Sequence, residues 1–303
     1  MDNLFHKKFS VGLSLQMNAQ QYYDLFKVYG SYIDSIYFSP PLGERYHSRL
    51  KVAKEFERAG MLTEFYDIIQ VIRGNGIHLD AVLNTYHLND EDIRQFLSFC
   101  EAYDIDDITT LEEYAGKIDK HPKRNLIYSY NNGLHDLKGN LKTFSCFDTI
   151  VLGTDFLRCP KDINMLSKTK QVKILLNNGC SPNCLTCRYG SQMCKNTLDH
   201  NLSTKSYDRI YAEQSFFPWE LTTLVSQLEN WDMISLKISN RTSGYRYIVD
   251  CLHSYIYGDN VSPYIKEQVG NFHLWFRLGE FSKYYKRLDL DNIEKIKRTL
   301  KWE

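Results

Sequence analysis

The feature that most constrains this chain is an alternation that runs through most of its length. Short apolar, β-branched runs are each followed by polar or glycine-bearing residues and then by a stretch of helical spacing. The runs fall at 9–13, 33–38, 77–83, 107–109, 126–130, 149–152, 172–176 and 234–238. Between them, apolar residues recur near the 3.6-residue period at 61–72, 91–99 and 221–231. Two of the helical stretches open on a cap residue: Asn89 before Asp90-Glu91-Asp92, and Thr110 before Leu111-Glu112-Glu113. Strands that alternate with helices pair in parallel, because each crossover helix returns the chain to the same edge. Eight such runs predict an α/β fold, a (β/α)8 TIM-like barrel over residues 1–260. The fourth run, Asp-Ile-Thr, is the least apolar and reads equally as a loop. The alternative is an open doubly wound sheet, but no glycine-rich dinucleotide fingerprint follows the first run. After residue 261 the alternation stops. Residues 261–303 read as a C-terminal helical extension packed on the barrel, rich in Lys and Arg from Asn271 onward.

Composition narrows the function. At 43% hydrophobic, with Lys+Arg 37 against Asp+Glu 37, the 303-residue chain has the apolar mass of a folded protein and no net charge. Zero net charge argues against a nucleic-acid coat or a polybasic membrane anchor, so a nucleic-acid partner lacks electrostatic support. No apolar run reaches the ~20 residues a bilayer helix needs, and the N-terminus lacks the pattern of a signal peptide. The expected location is cytoplasmic, where the eight cysteines would be thiols or metal ligands rather than disulfides. Beneath the neutral total, residues 80–120 carry eleven acidic and three basic side chains, while 138–195 carry nine basic and three acidic.

Inside that basic stretch lies the densest chemical signal. Cys180, Cys184, Cys187 and Cys194 fall within fifteen positions, between 177 and 195, with Gly179 and Pro182 supplying tight turns. Zinc takes four thiolates, usually from two separated CxxC knuckles. Iron–sulfur clusters are commonly fed by closely spaced cysteines. A single CxxxCxxC with one further cysteine fits a 4Fe–4S cluster better, with zinc as the alternative. Cys100 and Cys251 sit on apolar helix faces and read as buried hydrophobes. Cys159 follows the sixth run and is the alternative to Cys194 as fourth ligand. Radical S-adenosylmethionine enzymes share the CxxxCxxC spacing. In them it follows the first barrel strand, whereas here only about one hundred residues remain after it.

Several segments, in order, resemble the collagenase-like peptidases of unknown catalytic type, family 32 of the peptidase classification. Asp34-Ser35-Ile36-Tyr37-Phe38 followed by a glycine-bearing loop and Arg49 resembles the family's D-x-x-Y-F-G…R signature. Val151-Leu152-Gly153-Thr154-Asp155-Phe156 resembles its VLSREL strand without the Ser-Arg-Glu core. Leu175-Leu176-Asn177-Asn178-Gly179-Cys180 resembles the entry to its cysteine loop. Pro218-Trp219-Glu220-Leu221 resembles P-x-D-L, and Leu236-Lys237-Ile238-Ser239-Asn240-Arg241 resembles LKIEGR, with Ser239 and Asn240 in place of Glu and Gly. Residues 245–257 follow as the family's YV…YR helix does. The resemblance implies a TIM-like barrel with four cysteine ligands. It also implies O2-independent hydroxylation of an aromatic small molecule or nucleobase, with a carboxylate co-substrate such as prephenate. The other readings are a non-catalytic or electron-transfer iron–sulfur subunit paired with a second family member, and a peptidase.

Active sites of such barrels lie where strands end and βα loops begin. Glu44, Arg45, His47 and Arg49 follow the second run, Asn84 and His87 the third, and Asn131 the fifth, while Lys237 and Arg241 close the eighth. Arg49, Asn84, Asn131, Lys237 and Arg241 are the candidate binders of an anionic small molecule, since guanidinium groups clamp carboxylates bidentately. Each arginine reads equally as a helix cap or a partner for an acid such as Glu44. His47 and His87 are the candidate acid–base groups, because imidazole titrates near neutrality. The chain has no G-x-S-x-G elbow, HExxH, P-loop or EF-hand signature.

Overall fold

The computed structural model describes residues 4–47, 50–118, 124–129, 143–152, 159–177, 218–238 and 244–257. Its strands are β1 (Phe9–Gly12), β2 (Ile33–Phe38), β3 (His78–Leu83), β4 (Asp107–Thr110), β5 (Asn125–Tyr128), β6 (Thr149–Leu152), β7 (Gln171–Asn177) and β8 (Ile234–Ile238). All pair in parallel in sequence order, and β8 pairs back onto β1, so the sheet closes into a (β/α)8 barrel. The fourth run is therefore a strand. The C-terminal extension, 261–303, lies outside the described residues.

The helices are α1 (Ala19–Tyr29), α2 (Leu50–Glu55), α3 (Met61–Gly74), α4 (Asp90–Ala102), α5 (Glu112–Ala115), α6 (Pro160–Ser167), α7 (Pro218–Val225) and α8 (Tyr245–Tyr257). Apolar positions at helical spacing give the longer ones one buried face. In α3 it is Phe65, Ile68, Ile69 and Ile72; in α4 it is Ile93, Phe96, Phe99 and Cys100. Asn89 caps α4 as expected. Its carboxamide oxygen accepts from the Asp92 N–H, while the Asp92 carboxylate accepts from the Asn89 N–H, a reciprocal capping box. Asn18 and Gln21 do the same for α1.

Two sequence expectations are corrected. Thr110 does not cap a helix: it is the last residue of β4, fully buried, and Leu111 holds the cap position without a side-chain bond. Nor does helix span 221–231. The helix begins at Pro218 and ends at Val225, because the Asn164 carboxamide captures the backbone beyond it, donating to Gln227 O (3.0 Å) and accepting from Glu229 N (3.0 Å). Trp231 instead opens a short 3-10 turn and donates its indole N–H to Leu4 O (2.8 Å).

The strand-facing sides of the helices meet residues such as Phe9, Ile36, Phe38, Leu79, Ala81, Ile108, Ile150, Ile174 and Leu236, all essentially without solvent exposure. At the strand starts, two aspartates tie neighbours together. Asp106 accepts from Leu79 N, and Asp148 accepts from Leu126 N, both at 2.9 Å, and each donates its own N–H back to the same residue's carbonyl. Each thus closes a two-bond ring before the ladder proper begins.

Phe65 is fully buried, with its ring against Phe38, Phe56 and Tyr66. Phe65→Ala should lower stability by about 3–5 kcal/mol, the usual cost of removing a core aromatic ring. Urea unfolding of the two proteins measures it.

Candidate functional site

The barrel interior is where the chain departs from an ordinary fold of this type, whose lumen is filled by Val, Ile and Leu. The Lys173 ammonium on β7 lies 3.7 Å from the Asp80 carboxylate on β3. These strands are not neighbours, so the contact crosses the lumen and both side chains point inward. Paired residues in a sheet project to the same face, and alternate residues along a strand do too. The register then assigns the inner face: Asp107 partners Asp80, Val151 and Ser235 partner Lys173, and Tyr37 partners Asp80 on the other side. Thr109, two residues beyond Asp107, confirms the direction by donating its hydroxyl to Asp80 at 2.7 and 3.0 Å from the two oxygens.

Lys173 is 3% exposed and Asp80 0%. Burial of charge is tolerable only when it is paired and hydrogen-bonded, and Asp80 has both an ammonium and a hydroxyl. Asp107, beside it, is pushed up to about 7, first by burial. Lys173 opposes that rise, while the negative charges of Asp80 and Asp34 add to it.

A second inward pair stands toward the C-terminal mouth. The Lys237 ammonium, on a residue 7% exposed, lies 3.8 Å from the centroid of the Tyr37 ring. The Tyr37 hydroxyl donates to Ile238 O at 2.9 Å. β8 and β2 are separated by β1, so this pair reaches over β1. The inner residues of β1 make room for it: Gly12 is the register partner of Tyr37, and Ser10 that of Lys237. Ser10 is bonded to Ser35 (3.0 Å).

Around the mouth, the βα loops of β2 and β3 are fixed to each other. Arg45 pairs with the buried Asp92 carboxylate (2.5 Å), Tyr46 donates its hydroxyl to Asp92 O (3.2 Å), and Thr85 donates its own to Arg45 O (2.8 Å). Arg45 is thus a structural pair, with Asp92 rather than Glu44 as its acid. Burial is the main reason the Tyr46 hydroxyl is pushed up to about 12.

The two candidate histidines differ in setting. His47 is 1% exposed, with its ring 5.6 Å from that of Phe56, and so packs as part of the core. His87 is exposed, in the left-handed region (φ 69°) on the loop after β3. Asn84 is half-buried at the end of that strand, and Lys237 stands inside the mouth. Arg49, Asn131 and Arg241 lie outside the described residues, as do Cys180, Cys184, Cys187 and Cys194.

Among the described residues no group of three or more His, Cys, Asp or Glu is placed to hold a metal. Burial pushes the Cys100 thiol up to about 12, which suits a packing residue and not a thiolate ligand. Cys251 is likewise buried, and Cys159 is half-buried at the N-cap of α6. No helix among the described residues is long and apolar enough to cross a membrane. Asp80, Asp107, Thr109 and Lys173 carry no motif, and Tyr37 enters the sequence analysis as the tyrosine of the D-x-x-Y-F resemblance. The signal was present as polar residues at every second place of otherwise apolar runs: His-Leu-Asp, Asp-Ile-Thr and Gln-Val-Lys.

The fold and lumen define a parallel eight-stranded barrel with a charged interior and a C-terminal mouth walled by fixed loops. No protein-family model matches the chain, and no curated protein matches it. Among solved structures it is similar to the U32 peptidase Mk0906, with a TM-score of 0.52 and 9% identity over 77% of this chain and 93% of that one. UMP synthase of Leishmania donovani gives 0.47 at 10% identity, with 86% of this chain covering 55% of that chain. Tryptophan synthase of Pyrococcus furiosus gives 0.44 at 9% identity, over 88% and 97% of the respective chains. At these identities the likeness is one of fold.

Removing Lys173 leaves the buried Asp80 carboxylate without its counter-ion. Lys173→Met should destabilise by about 3–5 kcal/mol, and adding Asp80→Asn should recover most of the loss. A double-mutant cycle in urea gives the coupling directly.

Proposed function

We propose that this protein is an iron–sulfur barrel allied to the U32 peptidase group, using its C-terminal mouth to bind an anionic small molecule beside a cysteine-held 4Fe–4S cluster. The observation that carries the reading is the position of the cysteine run. β7 ends at Asn177, so Cys180 begins three residues beyond a strand's C-terminal end, on the side where barrel enzymes place their chemistry. The donor set Cys180, Cys184, Cys187 and Cys194 is four soft thiolates in one short segment, the donors an iron–sulfur cluster takes. Zinc is the alternative occupant, and Cys159 the alternative fourth ligand. A bound cluster would supply one-electron chemistry at the mouth.

The chain's own residues supply the binding. Lys237 offers an ammonium within the mouth, held against Tyr37. Arg49 and Arg241, with Asn84 and Asn131, are the proposed partners for a carboxylate. His87 is the exposed candidate for proton transfer and His47 the buried one. The reaction class that joins these parts is O2-independent hydroxylation of an aromatic molecule or nucleobase, with a carboxylate co-substrate such as prephenate. A peptidase reading rests on the name of the resembled family and of one structural neighbour. A second reading is favoured by one observation: Ser239 and Asn240 stand where LKIEGR has Glu and Gly. A chain that has lost those residues fits an iron–sulfur subunit working with a second family member.

Anaerobically isolated protein should be brown and carry about four irons and four sulfides per chain. Cys184→Ala should bleach it, and full iron retained in Cys187→Ala would overturn the ligand assignment. A colourless protein with one zinc would overturn the cluster itself. Co-purification of a second barrel protein with the clustered chain, together with no turnover by the chain alone, would select the subunit reading.

For the ligand, calorimetry of prephenate and simple dicarboxylates should show binding to the clustered protein. Arg241→Lys and Arg49→Ala should each weaken it by about 1.5–3 kcal/mol, roughly ten- to a hundredfold, through loss of a charge-assisted bond. Unchanged affinity in both variants would mark these arginines as structural.

A further inference from the structure

Around Asp80 the lumen holds more acid than base, because the second inward cation, Lys237, stands over Tyr37 instead. Asp80 and Asp107 occupy paired positions on adjacent strands, β3 and β4, and the cation that reaches them is Lys173 from across the lumen. With both carboxylates ionised, this buried set would carry one uncompensated negative charge. Two ionised carboxylates on paired strand positions also repel each other. A buried carboxylate without its own counter-ion takes up a proton rather than remain charged.

The two acids are not equivalent. Asp80 is wholly buried, accepts from Thr109 and faces the Lys173 ammonium, so it is the acid of the ion pair. Asp107 is nearly as buried, and the charged groups acting on it come from three strands: Lys173 on β7, Asp80 and His78 on β3, and Asp34 on β2. Its partner on the remaining neighbour, β5, is Asn125, which bonds Thr149 instead (3.1 Å) and brings no charge.

We propose that the barrel core is a single-proton site: Asp107 carries the proton, Asp80 and Lys173 form the ion pair beside it, and closure of the barrel is linked to that proton. The proton is held in the folded chain and released on unfolding, where Asp107 returns to the ordinary carboxylate range near 4. The folded pKa is therefore raised above the unfolded one, so the native state binds more protons between those values. Stability from this group is fully present below about pH 4, declines as pH rises toward the folded value of about 7, and is flat above it. This linkage is independent of what the cysteines bind.

The test is carboxyl-carbon NMR of the full chain with labelled aspartate, titrated from pH 5 to 8.5. One aspartate carboxyl should titrate near 7, against the bulk near 4, and that resonance should be absent in Asp107→Asn. In Asp80→Asn, Lys173 faces Asp107 alone, and the Asp107 midpoint should fall by at least one pH unit. Urea unfolding supplies the second measurement. The ratio of unfolding constants, wild type over Asp107→Asn, should rise with pH by up to about tenfold per unit between 4 and 7 and then level off. A wild-type spectrum with no carboxyl titrating above pH 6 overturns the proposal without any variant. So does a near-neutral titration that survives in Asp107→Asn, or an Asp107 midpoint that does not move in Asp80→Asn.

Discussion

The contact on which the rest of this structure depends is the ion pair between Lys173 and Asp80. It joins strands on opposite sides of the sheet and leaves both side chains almost without solvent. Such a pair exists only if the sheet closes: in an open sheet of the same strands, β3 and β7 would lie far apart. Closure also fixes orientation. Once Lys173 and Asp80 face inward, the two-residue period directs Ile174, Leu79 and their neighbours outward against the helices, and an apolar shell forms around a polar centre. A slip of one residue in any strand would exchange the two faces. A buried carboxylate facing the helices and an isoleucine in a charged lumen would then both be unfavourable. The polar core therefore acts on register as the apolar shell does, but with a steeper penalty for error.

This arrangement explains what could and could not be read from the sequence. Seven of the strands were evident because their outward residues form apolar clusters, and the observed bounds lie within two residues of the apolar runs. The fourth, Asp107–Thr110, was the least evident because half of so short a strand faces the lumen, so Asp107 and Thr109 dilute its apolar signal. The helices were legible by period and cap, as with Asn89, and misjudged where a distant side chain decides the end, as Asn164 does for α7. The lumen charges escaped motif reasoning because no local spacing joins Asp80 to Lys173, which are ninety-three positions apart. Only the register brings them together. The rim was legible as a set of positions, not as pairs: Arg45 lay among the expected cations, but its commitment to Asp92 depends on how α4 is capped.

The two ends of the barrel are built for different purposes. At the N-terminal end, groups are consumed by one another. Lys8 donates to Trp231 O (2.7 Å) and lies over its ring, Trp231 donates to Leu4 O, and Asp106 and Asp148 close rings with the neighbouring strands. Burial lowers the Lys8 pKa, while Asp232 and Asp34 offset part of that. This is the chemistry of a seam. At the C-terminal end, small inner residues on β1 open a path for Lys237 to reach Tyr37, and the β2 and β3 loops are braced against each other. A stable base beneath a mouth with an ammonium in it is the division of labour that lets loops above a barrel vary.

β7 connects the core to that mouth. It is the longest strand, seven residues, and it carries Lys173 at its third position and ends at Asn177, from which the chain enters the cysteine run. Its pairing with β8 shifts by one residue between Leu175 and Asn177, after the last lumen-facing pair, Leu175 with Lys237. Such a shift redirects the strand end. Below it, β7 is held by a charge that cannot rotate outward without desolvating alone; above it, the direction of the chain is set by the irregular register. The segment that carries the four cysteines thus departs from a strand anchored at one point by Lys173 and re-aimed at another.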